Sequence, residues 1–145
     1  MRANPVFSEL GNFSYKVVRE TEYSDIDILE HVNNVAISKY YGDARVRFLA
    51  QAFDEAGRTG YSSPSHLVAE MTIKYFAEIN YPGPVTIGVG ISRIGSSSFT
   101  VVEGLYQNDT LVGQAEIQMV ATKEGKPTPL PQAVKEHFQQ YLIKV

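Results

Sequence analysis

Residues 25–45 read DIDILEHVNNVAISKYYGDAR, and this stretch decides the fold. It opens with two aspartates and closes inside a helical pattern. Ile37, Tyr41, Ala44, Phe48 and Ala52 recur at intervals of three and four, the spacing of one helix face. The pattern runs to about Phe53 and stops before Gly57, and about 20 residues rising ~1.5 Å each make a rod roughly 30 Å long. Tyr40, Val46 and Leu49 lie off that stripe, so the helix is expected to be apolar around much of its girth and buried on more than one side. In the polar approach, Ser24 to Asn34, the residues Asp25, Asp27, Asn33 and Asn34 are all candidate caps.

On the N-terminal side, Met1 to Asn12 carries Pro5 and Gly11 and reads as a loose lead-in. Ser14 to Tyr23 alternates as a first strand, with Tyr15, Val17 and Arg19 on one face. Beyond the helix, Gly57, Gly60 and the Ser62-Ser63-Pro64-Ser65 run mark a loop. A strand follows with Leu67, Ala69, Met71, Ile73 and Tyr75 on one face and Val68, Glu70, Thr72, Lys74 and Phe76 on the other; Glu70 is expected to be solvated. Asn80 to Pro84 is a turn. Val85, Ile87, Val89 and Ile91 then alternate with Thr86, Gly88, Gly90 and Ser92, the strongest strand pattern in the chain. Gly88 and Gly90 share a face that can accept close approach. Gly95 to Ser98 is a connection, Phe99 to Tyr106 a strand, residues 107–109 a hairpin turn. Leu111 to Thr122 is a long strand with Ala115, Ile117, Met119 and Ala121 inward. Gly125 to Pro131 is a proline-rich turn, and Ala133 to Leu142 a short terminal helix.

These elements predict an α+β fold in one domain over 1–145, a long helix wrapped by a curved antiparallel sheet of about five strands. An open sheet leaves edges, which predicts pairing with a second copy of the chain. The 145 residues suffice for a core, and the absence of cysteine excludes disulfides, thiolate nucleophiles and Cys-based metal sites. A net charge of -3 argues against a nucleic-acid partner. There is no signal-peptide-like N-terminus and no apolar run of membrane-spanning length, so a cytoplasmic protein without a membrane partner is expected.

Chemistry is best placed at the start of the helix. A helix N-terminus presents unpaired N–H groups and a partial positive charge, which can polarise a carbonyl and hold an oxyanion. A carboxylate beside it can act as base on water or attack the carbonyl itself. Asp27, with the amides near Asn33 and Asn34, therefore has the parts for acyl transfer to water; an ordinary turn role for Asp25 and Asp27 is the simpler alternative. His31 reads as a base, a ligand or a hydrogen-bonder of the cap. Asp25, Asp27, Glu30 and His31 match no known metal spacing, and no metal is expected. Ser97 and Ser98, with Ser96, are either donors to a ligand or a polar turn. Tyr40 and Tyr41 are core residues or groove walls. The G-x-S-x-G, G-x-G-x-x-G and P-loop patterns are absent.

The run DIDILEHVNN, residues 25–34, followed by a helix carrying Asp43-Ala44-Arg45, resembles the 4-hydroxybenzoyl-CoA thioesterase branch of the hotdog-fold acyl-CoA thioesterases. EMTIKYF over 70–76, the segment Tyr81 to Val85, RIGSSSF over 93–99 and the TPLP of 128–131 agree with it. The resemblance implies a hotdog fold in a homodimer or homotetramer, and hydrolysis of an acyl-CoA without metal or cofactor. It implies that Asp27 is the catalytic base or nucleophile and that the Asn34 amide polarises the thioester carbonyl. His31, Asn33, Tyr41, Ser97 and Ser98 are the residues expected to bind substrate. Three departures stand out: Glu30 where the family usually has glycine, Ile37 for a frequent tyrosine, and Gly42 for a frequent acid. A glutamate in a turn that needs positive φ is strained and adds charge beside the carbonyl. Two other classes stay open, a non-catalytic acyl-CoA binding module and a thioesterase acting on acyl-carrier protein.

Overall fold

The structure, a computed structural model, describes residues 3–57 and 65–144. Its strands are β1 (Tyr15–Glu20), β2 (Ser65–Tyr75), β3 (Pro84–Ile94), β4 (Ser98–Gln107), β5 (Thr110–Lys123) and the two-residue β6 (Lys126–Pro127). Its helices are α1 (Asn34–Glu55) and the short α2 (Gln132–Phe138). The sheet runs β1-β3-β4-β5-β2, antiparallel throughout, with β6 added to β5. It curls round α1, which is the hotdog arrangement expected from the sequence.

The helix buries Ile37, Tyr40, Tyr41, Phe48, Leu49 and Phe53 against the inward rows of β3, β4 and β5. Val46 departs from the reading of a helix apolar around most of its girth, being 62% exposed. The stripe is wide but not closed. The β4–β5 turn places Asn108 and Asp109 at φ 51 and 62, both left-handed, the geometry that matches the twist of a two-residue hairpin. Of the loop read between Gly57 and Ser65, residues 58–64 lie outside the described residues.

Two further readings are corrected. The N-terminal segment is not a loose lead-in. Two 3-10 turns, Pro5–Ser8 and Leu10–Asn12, carry Phe7 and Phe13 onto the convex face of the sheet. There they form a second small core with Val102, Tyr106 and Ile143, and the Tyr106 hydroxyl donates to the Phe7 carbonyl. Gly88 makes this contact possible, since a Cβ there would lie 2.6 Å from the Phe13 ring. Gly90 does the same for Ile143.

The second correction is in β2. Period two put Leu67 inward and Val68 outward, but the register against β5 shifts between Val68 and Glu70. Ala69 is the extra residue of a bulge, and a bulge reverses which side chains share a face. His66 and Val68 therefore sit opposite inward Ala121 and Met119, on the same side as Met71, Ile73 and Tyr75. The His66 ring stacks on Phe53 at 5.5 Å.

Phe13→Ala removes the ring that closes the convex face. We expect it to lower the unfolding free energy by about 3 kcal/mol, read as a lower urea midpoint at unchanged slope.

Candidate active site

The approach to α1 is a small hairpin. Ile26 and Val32 form a bridge, the Asp27 amide donates to the His31 carbonyl at 3.2 Å, and the Glu30 amide donates to the Asp27 carbonyl at 3.0 Å. Three residues, Ile28 to Glu30, make the tip. The last residue of such a loop is left-handed, and Glu30 has φ 67. Asp27 sits at its base, exposed, with Oδ1 accepting the Leu29 amide at 2.9 Å.

Of the four candidate caps, Asn33 is the one that caps. Its Oδ1 accepts the Ala36 amide at 2.9 Å, and its Nδ2 donates to the Asp25 carbonyl at 2.7 Å. Asp25 is structural too: its carboxylate accepts the Tyr40 hydroxyl and the Glu22 amide. The Arg19 guanidinium lies 4.6 Å over the Tyr40 ring, and the charged, buried surroundings push the Tyr40 hydroxyl well above its ordinary pKa, desolvation being the largest cause. The amides of Asn34 and Val35, in the first helical turn, have no intrahelical acceptor. Both residues are exposed, beside a cleft of about 360 Å³ lined by Val32, Asn34, Ile37 and residues 75–79. His31 stands at its rim with Nε2 3.3 Å from the Glu78 carboxylate.

The structure brings Asp27, His31, Asn33 and Asn34 together at one end of the molecule. Ser97 and Ser98 are at the other. Ser98 pairs with Val120 while Leu105 pairs with Gly113, next to the cleft, so seven residues of β4 separate them, about 23 Å at ~3.3 Å each. The Ser98 hydroxyl accepts from Arg93 Nη2 at 3.0 Å, and the Ser97 carbonyl accepts the Ala121 amide. Gly95 and Ser96 border a second cleft, of about 420 Å³, with Lys135 and Glu136. Tyr41, read as a core residue or a groove wall, is fully buried, with its hydroxyl over Gly113 of β5.

Sequence reasoning missed a buried pair. Glu103 is completely buried on the inward face of β4, and Arg45 reaches it from α1 with Nη1 3.7 Å from Oε2, too long for a hydrogen bond. Burial pushes the Glu103 carboxyl well above the usual carboxylate range, with Arg45 opposing the rise. The signal was in the alternation, since Glu103 occupies the inward row of Phe99, Val101 and Leu105. Both Glu103 oxygens, Arg45 Nη1 and the Tyr41 hydroxyl have no hydrogen-bond partner among the described residues. Each such atom costs about 1–3 kcal/mol while it stays unpaired.

The family model described as the Thioesterase-like superfamily matches residues 21–138. The chain belongs to this superfamily. A search of curated protein sequences found no match. Among solved structures similar to this member of the superfamily is a thioesterase complexed with coenzyme A and Zn from Thermus thermophilus, 28% identical with a TM-score of 0.77, covering 89% of this chain and 95% of that one. A predicted thioesterase from Bacillus stearothermophilus is 21% identical with a TM-score of 0.81 over 90% of this chain and 98% of that one. A thioesterase superfamily structure from Jannaschia sp. CCS1 is 18% identical with a TM-score of 0.79 over 94% and 91%. The latter two share the hotdog fold. No described helix is long and apolar enough to cross a membrane.

Glu30→Gly relieves a left-handed glutamate and is expected to raise the unfolding free energy by about 1 kcal/mol, measured by urea denaturation. Glu103 binds its proton more tightly folded than unfolded. The stability this adds is complete below the ordinary value of 4.5 and declines as pH rises above it. Wild type is therefore expected to lose more stability between about pH 5 and about pH 8 than Glu103→Gln does, in parallel denaturation series.

Proposed function

We propose that this protein hydrolyses an acyl-CoA thioester to a carboxylic acid and free CoA. The observation that carries the reading is the exposed Asp27 carboxylate at the base of a hairpin that leads directly into the free amides of α1, beside an apolar cleft. In this reading the thioester carbonyl oxygen rests against the Asn34 amide, where the helix terminus stabilises the charge that develops on it. Asp27 takes a proton from an attacking water, or attacks the carbonyl and leaves an anhydride that water then opens; the thiolate of CoA departs in either case. Asn33 holds the first turn rigid through its two hydrogen bonds, and His31 borders the approach. Membership of the superfamily and the coenzyme A held by the Thermus relative support CoA as the carrier.

A second copy of the chain fits the same reading. β2 is an eleven-residue edge strand exposed along nearly its whole length, with Leu67 47% and Val68 41% exposed. An edge of this kind is a template for pairing. Antiparallel pairing of β2 with β2 of a second copy brings the Ser65 end of one beside the Tyr75 end of the other. The Ser97–Ser98 turn of the second copy then stands on the cleft's side of the molecule, within reach of a CoA whose thioester lies at Asn34. We assign substrate binding at Ser97 and Ser98 to this arrangement, as a homodimer or a homotetramer built from it. Glu30 supports a second reading, in which acyl-CoA is bound without turnover, because it adds a carboxylate near the carbonyl at a strained position.

Asp27→Asn is expected to abolish release of free thiol from acyl-CoA esters, a loss of about a thousandfold or more, while leaving the fold and acyl-CoA binding intact. Thiol release assayed beside calorimetric binding checks this; turnover that survives in the variant removes Asp27 from the mechanism.

A further inference from the structure

The return strand of the hairpin before α1 is tied to the segment that follows β2. The Val32 amide donates to the Ile79 carbonyl at 3.0 Å, which sets His31 beside Glu78, and His31 Nε2 lies 3.3 Å from the Glu78 carboxylate. Glu78 itself lines the cleft at Asn34. Across the hairpin, the Asp27 amide donates to the His31 carbonyl, so Asp27 and His31 stand opposite each other. Opposed residues of an antiparallel pair project to the same face. An imidazole and a carboxylate therefore share the approach to the free amides of α1.

The two are not equally suited to the same task. Asp27 is exposed, and its Oδ1 already accepts the Leu29 amide. A solvated carboxylate is a weak base near neutral pH, whereas an imidazole exchanges protons there. The charged groups around His31 are carboxylates: Glu78 from the segment after β2, Asp27 across the hairpin and Glu30 beside it. Among the described residues Glu78 is the one side chain paired with the ring. A carboxylate at Nε2 holds an imidazole in one tautomer and leaves Nδ1 as the nitrogen that exchanges a proton.

Resting on the thioesterase reading above, we infer that His31 is the proton carrier of the hydrolysis, with Glu78 as its positioning residue and Asp27 as the nucleophile. In the first step an Asp27 oxygen bonds to the thioester carbon, the C–S bond breaks, and the departing thiolate takes the proton of the His31 imidazolium. In the second step water bonds to the acyl carbon of the anhydride and gives its proton to the now neutral ring. The bond to Asp27 breaks and its carboxylate re-forms. The carboxylic acid leaves, and the imidazolium stands ready for the next thiolate. Glu78 balances the positive charge each time it forms on the ring.

The test is rapid-mixing measurement of thiol release at enzyme concentrations close to those of the ester, using whichever of acetyl-, hexanoyl-, palmitoyl- and benzoyl-CoA wild type hydrolyses fastest. His31→Gln is expected to release about one equivalent of thiol per site quickly and then to turn over about a hundredfold more slowly than wild type. The first step survives because a thiolate can leave unprotonated, while the anhydride waits for a base. Imidazole added to His31→Ala is expected to restore the slow phase, which a merely structural histidine does not allow. Glu78→Ala is expected to lower kcat about tenfold at unchanged KM, and Glu78→Gln, which still accepts from Nε2, to recover most of that loss. Steady release by His31→Gln at the wild-type rate overturns the inference and leaves Asp27 its place. So does a slow variant without a burst that imidazole does not restore. Absence of thiol release by wild type from all of these esters defeats the thioesterase reading, and the proton carrier with it.

Discussion

The side chain of Asn33 is the clamp on which the start of α1 and the hairpin before it depend. With one oxygen it closes the first turn of α1, and with its nitrogen it ties that turn back to the carbonyl of Asp25. Asp25 in turn holds the Tyr40 hydroxyl, two turns along the helix. The hairpin bearing Asp27 is thereby fixed relative to the helix terminus from both sides, and the amides of Asn34 and Val35 are left free because Asn33 satisfies only the one at Ala36. Capping and the proposed catalysis draw on the same four orphan donors of a helix start. The asparagine at the cap determines which of them stay available.

The fold was legible because its main signals are periodic. The three- and four-residue spacing from Ile37 to Ala52 located α1, and the alternation from Val85 to Ile91 located β3, because burial of one face fixes both patterns. Failures came where one residue breaks the period. Ala69 is unremarkable as a residue, yet as a bulge it exchanges the faces of Leu67 and Val68. Nothing in the loop-like composition of residues 1–13 announces that Phe7 and Phe13 cover the sheet; only Gly88, read with them, carries that information. The grouping of Asp27, Asn33 and Asn34 was readable since a helix N-terminus is a local feature. The remoteness of Ser97 and Ser98 was not, because distance across a sheet depends on register.

Two residues carry local costs that the rest of the fold sustains. Glu30 occupies a left-handed position that favours glycine, and Glu103 occupies a core position that favours an aliphatic side chain. Neither contributes to packing in a way that Gly or Leu would not improve. Strain and buried polarity of this kind persist where surrounding structure over-determines them, here in the hairpin before Asn34 and in the core opposite Arg45.

The convex face raises a different matter, that of inheritance. Gly88 is bare because Phe13 lies on it, and Gly90 because Ile143 does, so a side chain at Gly88 displaces a ring 75 residues away in sequence, and one at Gly90 displaces at least the tip of Ile143. Each glycine and its cover form a unit that can be kept or lost only together. Chains of this superfamily that carry a larger residue at the position of Gly88 must route their N-terminal segment elsewhere. Position 88 then tells a sheet that its own N-terminal segment can roof from one whose outer face is left bare.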